Sequence, residues 1–185
     1  MLVSTLAARR LDLLHKLLPT AAVIGFLVEP TNPNAESETS DAKAAAEALG
    51  LTLLIVGAGT ESELEVAFAN LIRQRVDALI VAGEQFFATR RDQLVALAAR
   101  HTIPAIYSLK RDAAAGGLIS YGADPFDANR QAGHYAARVL RGEKPGDLPV
   151  MQPTRFELVI NLKTAKAHGL TIPETLLATA DEVIQ

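Results

Sequence analysis

Apolar residues in this chain recur with two alternating rhythms. Leu6, Leu13, Leu14 and Leu17 fall on one helical face that ends before Pro19, and the nearly unbroken apolar run Ala21 to Val28 has the length of a strand covered on both sides. Thr31-Asn32-Pro33 then reads as a helix start, with Asn32 as N-cap and Pro33 in the first helical position. Ala42, Ala45, Ala46 and Leu49 give that helix a narrow apolar stripe, and Gly50 ends it. Leu51 to Val56 is a second strand. Thr60-Glu61-Ser62-Glu63 has capping-box spacing and opens a helix whose inner face is Leu64, Ala67, Phe68, Leu71 and Ile72. Ala78 to Ala82 is a third strand, followed by a helix from about Thr89 with Leu94, Leu97 and Ala98 inward. Ile103 to Ser108 and Leu118 to Tyr121 are the fourth and fifth strands. Asp124-Pro125 repeats the cap-plus-proline signal and opens a helix through Leu140, closed by Gly142.

Strands that alternate with helices predict a parallel sheet with helices on both faces, because each parallel strand needs a crossover. After Gly142 the rhythm changes. Glu143 to Pro149 is a turn-rich connector, Phe156 to Ile160 a last strand, Leu162 to His168 a short helix, and Pro173 onward a C-terminal helix.

Composition narrows the function classes. With 185 residues, 49% of them hydrophobic, and a formal net charge of -3, the chain has the make-up of a soluble protein of one domain or slightly more. Its 18 Lys and Arg are scattered, so the basic footprint of a nucleic-acid binder is missing. No apolar run approaches the ~20 residues that cross a bilayer. Met1 to Arg10 places its basic pair after a short apolar stretch, the reverse of an export signal's order. Cysteine is absent, which removes thiolate nucleophiles and sulfur metal sites.

In sheets of this kind ligands sit beyond the carboxyl ends of the strands, so the chemistry belongs in five loops: 29–34, 57–60, 83–88, 108–111 and 122–127. Phe86, Phe87, Tyr107, Tyr121 and Phe126 lie in or beside them, a biased placement for a chain with nine aromatic residues. Flat side chains with little entropy to lose suit an aromatic or apolar small ligand, and Asn32, Asn34, Glu84 and Asp124 offer hydrogen bonds to its polar ends. Asn32, Asn34, Glu84, Phe86, Phe87, Tyr107, Tyr121 and Asp124 are therefore the candidate ligand contacts. Each ring taken singly is as readily a core or interface residue, and Asn34 as readily a plain helix cap.

Enzyme signatures fail on spacing. Gly57-Ala58-Gly59 starts like a dinucleotide fingerprint, but Ser62 stands where the third glycine belongs, and Glu61 and Glu63 would repel a pyrophosphate. Gly117 to Gly122 has one residue too many before Ser120 for a nucleophile elbow. The four histidines are far apart in sequence, and three of them sit near expected helix C-termini. No catalytic residue, cofactor or metal site is expected.

Three stretches carry a resemblance: "NPNAE" after the first strand, the opening "RRLDLLHKLLP", and "SYGADPFDANRQAGHYAARVLRGEKPGDLPVMQPTRFELVINLKTAKAHGLTIP" from Ser120 to Pro173. Over nearly its whole length the chain resembles the ABC-transporter substrate-binding family related to tryptophan- and tyrosine-binding lipoproteins. The resemblance implies a periplasmic-binding-protein type I fold with flavodoxin-like strand order. Two α/β lobes around a hinge would hold a small solute in the cleft between them, with no catalysis, and present it to an ABC permease outside the inner membrane. It also implies that an export signal and most of a first lobe precede Arg9 in family members. This chain would then hold a leading helix (1–20), the second lobe (21–116), a segment crossing to the first lobe (117–149) and a returning strand with C-terminal helices (150–185). An amino acid or a related carboxylate is the expected solute. The helix after Pro125, apolar at Phe126, Ala132, Ala136, Val139 and Leu140, would lose its bed and pack on the remaining lobe or on a second copy by homodimerisation or segment exchange. The alternative is a cytosolic α/β sensor or small enzyme that shares only the scaffold.

Overall fold

A computed structural model describes the backbone of residues 2–185 and the side chains from residue 6 onward. Helix α1 (Leu2–Leu17) leads into β1 (Val23–Val28), α2 (Ala35–Leu49), β2 (Thr52–Gly57), α3 (Glu61–Arg73) and β3 (Ala78–Val81). Two helices, α4 (Gln85–Thr89) and α5 (Arg91–Arg100), precede β4 (Ala105–Tyr107), and α6 (Lys110–Ala114) precedes β5 (Ile119–Ala123). The long α7 (Pro125–Leu140) and a 3-10 turn at Pro145–Asp147 are followed by β6 (Phe156–Asn161), α8 (Leu162–Ala167), α9 (Glu174–Leu177) and β7 (Glu182–Ile184).

The strands form one seven-stranded sheet in the order β2-β1-β3-β4-β5-β6-β7, parallel except where β6 runs antiparallel to β5. The first five positions are the flavodoxin-like order, which reverses direction at β1. Right-handed crossovers therefore put α2 on one face and α3 and α5 on the other. Helix α1 shares the α2 face and lies against α2, β3 and β5. β1 and β3 are apolar at almost every position because both of their faces are covered; Ile24, Phe26, Leu27, Leu79 and Ile80 are wholly buried. Two acids tie strand starts: the Asp77 carboxylate accepts from the Ala22 and Val23 amides, and the Asp181 carboxylate from the Leu158 amide.

Several elements differ from the sequence expectations. Helix α2 begins at Ala35 with Asn34 as its N-cap, two residues later than the Asn32-Pro33 signal suggested. Asn32 makes an Asx turn instead, accepting from the Asn34 amide at 2.9 Å. The supposed loops 83–88 and 108–111 each hold the start of a one-turn helix, α4 and α6, too short for periodicity to reveal. Instead of a helix continuing from Pro173 onward, four residues form α9 and the chain then adds β7 beside β6 in parallel. β5 belongs to this same sheet, so the chain leaves it at Asp124 rather than at residue 117.

Helix α7 does not pack on the lobe. None of its 16 residues is buried, and Phe126 and Leu140 are 81% and 88% exposed. Its Asp124 cap accepts from the Phe126 amide at 2.8 Å, so the helix is well formed locally but has no bed.

Candidate functional site

The carboxyl ends of β1, β3, β4 and β5 meet at one rim, and the residues that converge there are set by three helices and two loops. The central object is a buried carboxylate. Glu84, directly after β3, is 4% exposed and does not cap α4; its side chain turns inward instead. Its Oε2 accepts from the Glu29 amide at 2.6 Å and its Oε1 from Asn32 Nδ2 at 3.2 Å. The loop after β1 is thus clamped to the loop after β3. Burial pushes the Glu84 carboxyl up to about 7, against the Glu29 amide bond that favours the charged form, with the charge of Glu38 adding to the rise.

Beside it lies a buried arginine that the sequence reading did not single out. Arg10 of α1 is 3% exposed, and its Nε donates to the Tyr121 carbonyl at 2.8 Å, so α1 is pinned to β5. Its guanidinium passes over Gly83 and Gly122, where a side chain would stand only 3.7 Å from Nη2. At Gly122 a Cβ would also run into the Ser108 carbonyl oxygen, so only glycine lets β5 and the loop after β4 come this close. Burial brings the Arg10 guanidinium down to about 10, opposed by the attraction of Glu38 and Asp112. Burial likewise raises the Glu38 and Asp112 carboxyls, opposed at Glu38 by Arg10 and at Asp112 by the Leu109 amide bond and the charges of Arg111, Arg91 and Arg10. The signal for both missed groups was present: Arg10 shares a helical face with Ala7, Leu14 and Leu17, and Glu38 with Ala35, Ala42 and Ala46. A charge on an apolar stripe is a buried charge, and buried charges are paired.

The sequence-predicted contacts divide into three groups. Asn34 is exposed at the α2 start, with no side-chain cap bond, and Phe86 and Tyr121 are half-buried at the rim. Asn32 and Glu84 are there too, but they are engaged with each other. Phe87, Tyr107 and Asp124 are turned inward. Phe87 is 3% exposed and meets Phe86 edge to face at 5.4 Å; the pair sits on α4, where one ring enters the core and the other lies along its edge, under the Arg90 guanidinium. Tyr107 is in the core, and burial raises its hydroxyl well above the usual range. Gly117 makes room for it, since a Cβ there would come within 2.8 Å of the ring. Asp124 is spent as the α7 cap, with Arg155 Nε 3.7 Å from its other oxygen. Tyr121 stacks on Phe156 across the β5–β6 pair at 6.1 Å.

Two hollows open along the rim. One, of about 510 Å³, lies between α6 and the start of α7 and is lined by Leu109, Lys110, Arg111, Asp124, Phe126 and Glu157 among others. The second, of about 330 Å³, lies where Glu61 faces the α4–α5 junction at Ala88 to Gln93. Among the described residues, no group of three or more His, Asp or Glu is placed to hold a metal, and no helix is long and apolar enough to cross a membrane.

The family model described as ABC transporter substrate binding protein matches residues 4–184. The Tyrosine-binding protein of Clostridioides difficile (strain R20291) is 27% identical over 159 residues, covering 86% of this chain and 46% of that protein. A conserved domain protein from Vibrio cholerae superposes with a TM-score of 0.88 at 25% identity, covering 96% of this chain and 60% of that one. An ABC domain from Streptococcus pneumonia in complex with L-Trp superposes with a TM-score of 0.87 at 30% identity, covering 97% of this chain and 62% of that one. The chain therefore spans about half the length of the curated relative and about three fifths of the two structures.

Proposed function

This chain belongs to the ABC transporter substrate-binding protein family, and from that premise we propose that it forms one jaw of a solute clamp, holding an aromatic amino acid or a related carboxylate at its carboxyl rim for an ABC permease. The observation that carries the reading is the superposition of nearly the whole chain on three fifths of a structure that holds L-Trp. The rim chemistry is compatible with it. Asn34 and the start of α2, whose side-chain cap bond is missing, offer donors to a carboxylate, while Phe86 and Tyr121 offer flat apolar surface to a ring. Asn32 and Glu84 support that surface from behind. In this reading the role is binding and release rather than turnover, and the protein works outside the inner membrane.

The second jaw would close over the rim and would also cover α7. A second copy of this chain is proposed to cover the apolar face at Phe126, Val139 and Leu140.

L-tryptophan and L-tyrosine titrated into the labelled protein test the reading. The expected result is amide shift changes confined to Asn34, Phe86 and Tyr121 and their neighbours, with a melting temperature raised by roughly 5–10 °C at a hundredfold excess over Kd. An unchanged spectrum across a panel of amino acids and small carboxylates, or changes centred away from the rim, would refute it.

A further inference from the structure

The clamp made by Glu84 is stranger than a structural bond needs to be. A carboxylate that is nearly solvent-free usually answers to a cation, yet both oxygens of Glu84 are committed to neutral donors, the Glu29 amide and the Asn32 side chain. Around it stand two more acids, Glu29 at the end of β1 and Glu38 on α2. The nearby cation, Arg10 of α1, is shared with Glu38 and Asp112 and is bonded to Tyr121. Both accepted bonds need lone pairs. A proton on either oxygen takes up a spare lone pair and removes the negative charge, so both accepted bonds lose their charge assistance and weaken.

The bonds in question hold a particular piece of chain. Glu29 and Asn32 are the two ends of the turn that carries Asn34 to the head of α2, since the Asn32 amide donates back to the Glu29 carbonyl and Asn32 Oδ1 receives the Asn34 amide. Residues 52 and 55 positions apart in sequence are joined here by one side chain. We infer that Glu84 is a positioning residue, whose ionised carboxylate fixes the loop from Glu29 to Asn34 against the head of α4 and whose protonation loosens that loop. Because burial holds this group near 7 rather than in the ordinary carboxylate range, the loosening falls around neutral pH. The inference goes beyond the solute reading and does not depend on it: the latch acts on the loop whether or not a solute is present.

Amide exchange on the ligand-free chain tests it, with protection factors corrected for the intrinsic pH dependence. In the unaltered protein the protection of the Glu29 amide should fall by about tenfold between pH 8.5 and pH 5.5 with a midpoint near 7, while the Leu27 amide within β1, which exchanges with the whole fold, should show no such fall and instead gain protection towards the lower pH. Glu84→Gln, whose amide nitrogen mimics the protonated oxygen, should show the low protection at every pH. Protection of Glu29 that does not change with pH in the unaltered protein overturns the inference, and so does a pH dependence that persists in Glu84→Gln. The wild-type titration decides the matter even if the variant does not fold.

Discussion

At the scale of single residues the rim is made of groups whose environments oppose their charge. Glu84 takes up a proton more readily in the fold than in the open chain, so the folded form binds more protons between pH 4.5 and about 7. Its contribution to stability is complete below 4.5 and is lost as pH rises through about 7. Glu84→Gln is therefore expected to raise stability at pH 8 by roughly 1–3 kcal/mol, a difference that shrinks towards pH 4.5. Denaturant midpoints at the two pH values check this; an equal effect at both would show that ionisation is not the cause. The same substitution should loosen the loop while stiffening the fold, a combination that a simple packing defect does not produce. Gly122 acts through sterics alone. Gly122→Ala should cost roughly 1–3 kcal/mol because the new methyl meets a backbone carbonyl that cannot turn aside, read as a lowered urea midpoint with unchanged slope. At this scale the chain order was only partly legible. Asn34, Phe86 and Tyr121 do lie at the rim, but nothing local to Tyr107 says that Gly117, ten positions on, hollows a place for its ring.

Between elements, one guanidinium does the joining. Arg10 links α1 to β5 by a hydrogen bond and to α2 by its attraction for Glu38. Arg10→Met should lower stability by roughly 3–5 kcal/mol, since Glu38 would keep its buried charge without a counterion. Adding Glu38→Met should recover much of that loss, because replacing both partners by apolar side chains removes the unpaired charge as well. Additive losses in the double variant would disprove the coupling. The elements themselves were legible wherever apolar periodicity ran long enough: α1, α3, α5 and α7 and the strands β1 to β6 stand where the pattern put them. Short pieces were not. α4, α6 and β7 have five, five and three residues, less than two turns or two alternations, and each exists because a neighbour supplies its partners. β7 is held by β6 and by Asp181, which is information stored 23 positions away.

The whole molecule is a covered sheet with one uncovered arm. Because no residue of α7 is buried, Leu140→Glu should change stability by less than about 0.5 kcal/mol. If a second copy covers that face, the same substitution should abolish concentration-dependent association in sedimentation velocity; a chain that stays monomeric at all concentrations would remove the proposed self-association. The alternation of apolar runs with capped amphipathic segments was enough to determine an α/β layering, a parallel sheet and the rim where its loops gather, because period and capping are local and the crossover rule leaves few arrangements. It did not determine which rim groups face outward. That was decided by tertiary packing: whether a side chain at the end of a strand meets solvent, a core or a neighbour's amide depends on chains brought together from 50 or more residues away, and the burial that gives Glu84 and Arg10 their altered proton affinities exists only once the layers have closed.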